Sequence, residues 1–137
     1  MSKSADPLAE LFAAAKAAQA KAHAPYSKYR VGAALRTPDG TIYVGGNVEN
    51  ASYPEGWCAE TSAIAAMAAG GGRRIAEICV IGDGDALCTP CGGCRQRIRE
   101  FADDATLIHV AGPEGVRSTF RLSALLPESF GPGHLKG

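Results

Sequence analysis

The spacing of apolar side chains near the amino end predicts an amphipathic helix. Asp6 and Pro7 form a favourable helix start, because a capping carboxylate is followed by proline at the first helical position. Apolar positions then recur at helical spacing, at Leu8, Leu11, Phe12, Ala15 and Ala22. We expect this helix to end near residues 23–25. It carries few bulky apolar side chains, so packing on a sheet is favoured over binding to a membrane surface.

The apolar runs after residue 30 alternate with turn-forming residues and predict five strands and two longer helices. The strands are expected at residues 31–36, 42–45, 75–82, 106–110 and 117–120. The helices are expected at residues 58–69 and 91–101, with a single helical turn at 123–126. A hairpin comes first and crossover units follow it. This order predicts an α/β fold with helices layered on a mixed five-stranded sheet.

Composition is that of one globular domain without a basic surplus. The chain has 137 residues, 46% of them hydrophobic, and we expect a single domain over residues 1–137 with a mobile tail from residue 131. Lysine plus arginine and aspartate plus glutamate number 14 each, so the formal net charge is zero. A polynucleotide-binding protein usually carries a positive surplus, because neutralising phosphates drives its affinity. The charge balance therefore favours a small-molecule substrate over nucleic acid.

The distribution of the five cysteines favours metal binding over disulfides. Three of them fall in the run Cys88-x-x-Cys91-x-x-Cys94, and neither a signal-like apolar segment nor a run of membrane-spanning length is seen. We therefore expect a cytoplasmic protein without membrane contact, in which the thiols stay reduced. Cys79 lies within a predicted buried strand and is expected to be a small core residue.

Two short stretches carry the candidate chemistry, Cys58-Ala59-Glu60 and Pro90-Cys91-Gly92-Gly93-Cys94. Together they supply three thiols and one carboxylate. Three protein ligands, with the fourth position left to water, are the arrangement of a catalytic zinc site. Glu60 follows Cys58 by two residues at the start of a predicted helix, so its carboxylate is expected beside the metal without binding it. The pattern predicts a zinc site with Cys58, Cys91 and Cys94 as ligands.

The pair Cys91-x-x-Cys94 taken alone has two other interpretations, a redox pair or half of a structural zinc site. A structural site would close the fourth position with another Cys or His, and Cys88 is the nearby candidate. The chain would then be a binding module. The upstream Cys-Ala-Glu and the proline before Cys91 favour catalysis, because a ligand-x-Glu followed by Pro-Cys-x-x-Cys is the known pattern of zinc deaminases.

From residue 25 to residue 130 the sequence resembles the cytidine deaminases, in particular the small form that acts on free nucleosides. Several spaced motifs agree in order, which makes the resemblance specific. The motifs are Pro25-Tyr26-Ser27-Lys28-Tyr29, Val31-Gly32-Ala33-Ala34-Leu35, Gly46-Asn47-Val48-Glu49-Asn50-Ala51-Ser52-Tyr53, Cys58-Ala59-Glu60, Pro90-Cys91-Gly92-Gly93-Cys94-Arg95-Gln96 and Leu125-Leu126-Pro127.

This resemblance implies a three-layer α/β/α sandwich in which two helix N-termini point at one zinc ion per chain. It also implies hydrolytic deamination of cytidine and deoxycytidine to uridine and deoxyuridine plus ammonia, as in pyrimidine salvage. Glu60 matches the family residue that acts as general base and general acid. Enzymes that inactivate cytosine-nucleoside antibiotics share both zinc motifs, so an antibiotic of that class is an alternative substrate.

Further residues match family positions that bind the substrate. Asn47 and Glu49 match the pair that hydrogen-bonds the ribose 3′-hydroxyl, which argues for an ordinary ribose or deoxyribose and against a continuing polynucleotide strand. Tyr29 matches a family aromatic, usually Phe, that faces the pyrimidine ring. The family also holds the base through the backbone at the position of Ala59.

Family members of this size are homotetramers, and the resemblance implies the same assembly here. In them the stretch around Tyr53 and a carboxyl-terminal aromatic, here Phe130, reach into the site of a neighbouring subunit.

One departure from the family concerns the charge at the metal. Many relatives continue Cys-Ala-Glu with Arg, which bonds the metal thiolates, whereas this chain has Thr61. Three thiolates and Zn²⁺ leave one negative charge, which helix N-termini and a nearby cation must offset. We expect Arg95, directly after Cys94, to be that cation.

Overall fold

The structure, a computed structural model, describes residues 6–135 of the chain. Within these residues there are four α-helices and five strands. The helices are α1 (Pro7–Ala20), α2 (Ala59–Ala69), α3 (Gly92–Phe101) and α4 (Leu122–Leu125). The strands are β1 (Gly32–Arg36), β2 (Ile42–Gly46), β3 (Glu77–Ile81), β4 (Leu107–Gly112) and β5 (Gly115–Arg121). Every strand and helix that the sequence predicts is present, with shifts at the ends.

The five strands form one mixed sheet in the order β2-β1-β3-β4-β5. Strand β1 pairs antiparallel with both β2 and β3, β3 pairs parallel with β4, and β4 pairs antiparallel with β5. The opening hairpin and the β3–α3–β4 crossover are the units that the element order predicts. The prediction of a mixed five-stranded sheet is confirmed.

Helices cover both faces of the sheet, as the predicted α/β/α sandwich requires. Alternate strand residues point to opposite faces. One face packs on α1, through a core that includes Leu11, Ala34 and the buried Cys79. The other face packs on α2 and α3, through a larger core that includes Met67 and Ile98. Cys79 is therefore the core residue that the sequence predicts.

Helix α1 begins as predicted but ends earlier. The Asp6 carboxylate accepts hydrogen bonds from the N–H groups of Leu8 and Ala9, at 3.1 and 3.2 Å. The helix stops at Ala20 rather than near residues 23–25. His23 instead pairs with the chain after β2, because its N–H donates to the Asn47 carbonyl at 2.9 Å. A tertiary contact that helical periodicity cannot show therefore ends the helix.

Two glycines allow helices to lie directly on the sheet. A Cβ on Gly32 would stand 2.1 Å from the Ala15 carbonyl oxygen of α1. A Cβ on Gly45 would stand 2.5 Å from the Ala63 nitrogen of α2. Because both distances are far below van der Waals contact, these positions fix how closely α1 and α2 approach the two faces.

The topology brings the amino ends of α2 and α3 to one edge of the sheet. Strands β2 and β3 run in the same direction, since both are antiparallel to β1. Helix α2 follows β2 and α3 follows β3, so both helices start beyond the carboxyl ends of these strands. Ligand sites of open α/β sheets occur at this edge.

Two further predictions concern the membrane and the tail. No helix within residues 6–135 is long and apolar enough to cross a membrane. In the predicted tail, Pro132–His134 form a 3₁₀ turn and the His134 ring stacks on Phe130 with ring centroids 4.9 Å apart. Residues 136–137 of that tail lie outside the described residues.

Candidate active site and metal centre

Three thiols meet at the edge where α2 and α3 begin. Cys58 and Cys91 are the N-cap residues of α2 and α3, and Cys94 lies in the first turn of α3. Their sulfurs all lie within 4.8 Å of one another. Each helix start adds partial positive charge that stabilises thiolates. Cys88 does not belong to the cluster found within residues 6–135.

The donor set fits zinc in number and spacing. A tetrahedral zinc with Zn–S bonds of about 2.3 Å holds its sulfurs about 3.8 Å apart. Cys58 Sγ and Cys91 Sγ are 3.9 Å apart. Three soft thiolate donors suit zinc, and the position left over is the one that a catalytic site keeps open.

The thiols differ in their surroundings. Burial raises the pKa of both Cys58 and Cys94 above the ordinary thiol value. Burial acts on Cys91 as well, but hydrogen bonds from the backbone and side chain of Cys94 bring the pKa of Cys91 below that value. Since metal ligation needs thiolates, a divalent cation among the sulfurs would compensate the cost of ionising the two thiols whose pKa is raised.

Glu60 stands next to the thiols in the first turn of α2 and is 4% exposed. No other carboxylate within residues 6–135 is buried to this degree. Burial raises the pKa of its carboxyl, while a hydrogen bond with Cys94 and the charge of Arg97 act in the opposite direction. A buried carboxyl with a raised pKa beside a metal site suits proton transfer.

Glu60 and two of the three cysteines open onto a cavity of about 540 Å³. This volume lies within the range of sites for small ligands. The loop before β1 contributes Tyr26 and Ser27, and the loop after β2 contributes Asn47, Glu49 and Trp57. The cavity therefore joins the thiol cluster to polar groups from two loops.

Residues 6–110 match the family profile of the cytidine and deoxycytidylate deaminase zinc-binding region. The chain belongs to this family. As a member it is a zinc-dependent deaminase, so the predicted enzyme class and the predicted zinc cofactor are confirmed.

Individual relatives match this deaminase over most of its length. It is 38% identical over 121 residues to a cytidine deaminase of Sporosarcina psychrophila, which covers 88% of this chain and 89% of the relative. It is 44% identical over 116 residues to the cytidine deaminase of Mycobacterium tuberculosis, with 83% and 82% covered. The crystal structure of cytidine deaminase from Burkholderia pseudomallei has a TM-score of 0.84 at 42% identity, covering 89% of this chain and 98% of that chain.

The deaminase uses both predicted sugar-binding residues to hold the loop before β1. Asn47 Oδ1 accepts the Val31 N–H at 2.9 Å, and Asn47 Nδ2 donates to the Tyr29 carbonyl at 3.0 Å. Glu49 accepts the N–H groups of Tyr26 and Ser27 and also the Ser27 hydroxyl. Both residues line the cavity. They therefore have a structural task besides any contact with substrate.

Of the four other residues predicted to contact the substrate, two line the cavity and two do not. Ala59 and Tyr53 line the cavity, and Tyr53 is 73% exposed. Tyr29 is not among the cavity-lining residues of the described chain. Burial, together with a hydrogen bond to Cys88, raises its pKa to about 12. Phe130 lies near α3, where its carbonyl accepts a hydrogen bond from Gln96 at 2.8 Å.

Arg95 is not the cation that contacts a thiol. Its guanidinium donates to the carbonyls of Pro90 and Leu125, at 2.7 and 2.8 Å, and to the Thr89 hydroxyl at 3.3 Å. Arg97 Nη1 instead lies 3.9 Å from Cys94 Sγ. The correction has a simple reason, since residues three apart share a helix face and adjacent residues do not.

Several residues around the cavity and the thiols have contacts that the sequence did not predict. Ser27 stands inside a motif that carries the resemblance, yet no role was assigned to it. Trp57, 53% exposed, precedes Cys58 and pairs with Val48 in an isolated bridge. Arg97 could have been found from its spacing, three residues after a ligand on the same helix. Cys88 lines the cavity although it does not belong to the thiol cluster.

Proposed function

We propose that this deaminase converts free cytidine and deoxycytidine to uridine and deoxyuridine plus ammonia, and that it serves pyrimidine salvage in the cytoplasm. The observation that carries the proposal is the position of Glu60. This buried carboxyl stands beside the thiol cluster at the wall of a nucleoside-sized cavity. The named relatives are cytidine deaminases, which supports the same base for this chain.

We assign Cys58, Cys91 and Cys94 as the zinc ligands, in agreement with their mutual spacing. Zinc bound there would act as a Lewis acid that activates water for attack. Glu60 accepts a proton from the attacking water while the water oxygen forms a bond to C4 of the cytosine ring. Glu60 delivers that proton to ring N3. The proton of the new hydroxyl at C4 then passes through the Glu60 carboxylate to the amino group. The amine leaves as ammonia and C4 becomes the carbonyl of uridine.

We assign recognition of the nucleoside to groups around this reaction centre. The N–H groups at the start of α2 lack helical partners, and Ala59 lines the cavity there, so these groups can hold the base. Asn47 and Glu49 bind the sugar 3′-hydroxyl from its two sides. Because these contacts need a free 3′-hydroxyl, a polynucleotide strand that continues from the 3′ position is excluded from this site. Tyr29 does not line the cavity within the described residues, so its side chain must move toward the cavity to face the pyrimidine ring.

We further propose that the chain is a single domain that assembles as a homotetramer. Tyr53 and Phe130, 73% and 55% exposed, would each reach the site of a neighbouring subunit. Tyr53 lines the cavity, and large exposed apolar patches typically mark interaction surfaces. Sedimentation of the purified protein tests this assembly, and a monomer with full activity would refute it.

A substrate panel tests the reaction itself. The change in ultraviolet absorbance on deamination is followed with each compound in turn. The compounds are cytidine, deoxycytidine, cytosine, adenosine and a cytosine-nucleoside antibiotic. We expect turnover of the first two and release of one ammonia for each base converted. Turnover of the antibiotic alone would replace our substrate assignment. No turnover of any cytosine compound by zinc-loaded protein would overturn the proposed function.

A further inference from the structure

Within the described part of the chain, one cationic side chain contacts the thiol cluster. Arg97 Nη1 lies 3.9 Å from Cys94 Sγ, whereas the guanidinium of Arg95 is occupied by three oxygens. Within residues 6–135, Arg97 is the only cationic side chain that hydrogen-bonds a sulfur of the cluster. Cys94 is fully buried, so a charge on its sulfur has little help from solvent.

The position of Arg97 on α3 explains this contact. Arg97 follows Cys94 by three residues and Gly93 by four, so it is a neighbour of each of them on the helix surface. A Cβ on Gly93 would stand 3.2 Å from Arg97 Nη1, which shows that the guanidinium folds back over the first turn. Positive charge is disfavoured at the positive end of a helix unless an anion is present. With zinc bound, the Cys94 sulfur would be that anion.

The neighbouring position on α2 supplies no charge. Thr61 Oγ1 lies 3.7 Å from the same Cys94 sulfur, but a hydroxyl offers only a neutral hydrogen bond. Arg97 and Thr61 thus approach one thiolate from two different helices. Within residues 6–135, a charged side chain therefore reaches the Cys94 sulfur from α3, whereas the α2 side chain that reaches it is neutral.

We propose that Arg97 is a positioning residue that supplies the counter-charge of the zinc–thiolate centre, in place of a cation at position 61. Its guanidinium holds the Cys94 thiolate in its ligating orientation and offsets the excess charge. It touches neither substrate nor the reacting atoms. This inference rests on the proposed zinc ligands, and its measured effect is on zinc affinity rather than on turnover.

The test is zinc competition with a chromogenic chelator at fixed pH. Replacing hydrogen-bonding partners of metal ligands weakens metal affinity by roughly 10–100-fold. Arg97 is exposed, so solvent screens its charge. We therefore expect the zinc affinity of Arg97→Gln to be about tenfold weaker than that of wild type, at the lower limit of this range. Arg97→Lys keeps the charge and should bind zinc nearly as tightly as wild type. The deficit of Arg97→Gln should shrink as salt is raised, because salt screens exposed charge.

Arg99→Gln is the matched control. Arg99 lies on the same helix but donates to the Ser129 hydroxyl at 2.9 Å, so its loss should leave zinc affinity unchanged. Adding Thr61→Arg to Arg97→Gln should restore part of the affinity. Equal affinities of Arg97→Gln and Arg99→Gln would overturn the proposal, as would equal losses in Arg97→Gln and Arg97→Lys. Wild-type protein without one zinc per chain would refute the ligand set itself.

Discussion

The carboxylate of Glu49 accepts the hydroxyl of Ser27, and together the two residues tie the loop before β1 to the loop after β2. The same carboxylate accepts the N–H groups of Tyr26 and Ser27, at 2.9 and 3.1 Å. Asn47 holds the far end of that loop through Val31. Both residues assigned to the sugar therefore also fix one wall of the cavity, which links sugar binding to the position of the wall.

The attachment at Glu49 should depend on pH. Hydrogen bonds from Ser27, its hydroxyl foremost, hold the pKa of Glu49 below the ordinary carboxyl value. Because the pKa is lowered, the attachment is complete at any pH above the ordinary carboxyl pKa of about 4.3. It is lost as the pH falls through the lowered pKa of Glu49. Amide exchange at Tyr26 and Ser27, corrected for intrinsic rates, measures this. In Ser27→Ala the loss of amide protection should occur at higher pH, because the Ser27 hydroxyl no longer lowers the pKa of Glu49. An unchanged midpoint pH would show that this hydroxyl does not set the pKa.

Removal of any one assigned zinc ligand should empty the site or weaken it severely. Cys58→Ala, Cys91→Ala and Cys94→Ala each take away one of three anchors. Cys88→Ala and Cys79→Ala should keep one zinc per chain, because neither thiol belongs to the cluster. Metal analysis of the purified variants decides this. Loss of zinc from Cys88→Ala would show that the ligand set is wrong.

Glu60→Gln should fold and bind zinc but lose nearly all turnover. The amide has a similar volume, so the buried position stays filled, yet it cannot carry a proton. General acid–base groups contribute roughly 10²–10⁴-fold, and a group that serves several transfers should lie near the upper limit. Single-turnover rates and zinc content are measured together. Turnover close to wild type with zinc retained would remove Glu60 from the mechanism.

Recognition of the 3′-hydroxyl can be separated from the structural task of the same residues. Asn47→Ala and Glu49→Ala should lower kcat/KM for cytidine more than for 3′-deoxycytidine. The difference, converted to free energy, should be about 1.5–3 kcal/mol, the value of a lost hydrogen bond to a charged group. Ser27→Ala is the control, since it loosens the same loop without removing an assigned sugar contact. The ratio of the two kcat/KM values should stay constant in that variant. Equal losses with both substrates in Glu49→Ala would disprove the sugar assignment.

Gly45→Ala should destabilise the fold and displace α2. The added Cβ would stand 2.5 Å from both the Ala63 nitrogen and the Ser62 Cβ, so the helix must move away from the sheet. Overpacking of this kind costs about 1–3 kcal/mol. Gly133→Ala, where the added Cβ meets no atom within 4 Å, is the control. Denaturant unfolding compares the two, and equal stabilities would show that α2 does not depend on this glycine.

The sequence by itself determined the order of the elements and which three thiols form the cluster that could hold a metal ion. Apolar periodicity and turn residues are local signals, and the strands and helices here follow them closely. The motifs around Cys58 and Cys91 are equally local, because each places a thiol at a helix start. That the chain is a zinc deaminase could therefore be predicted before any contact was known.

The tertiary structure decided which side chains meet across the fold. Helix α1 ends at Ala20 because His23 pairs with the chain beyond β2. Arg97 rather than Arg95 contacts Cys94, because the direction of a side chain from its helix decides what it can reach. Ser27 meets Glu49 across 22 residues of sequence. Such contacts depend on how β1, β2 and β3 assemble, and neither spacing nor composition encodes the distance between groups on separate elements.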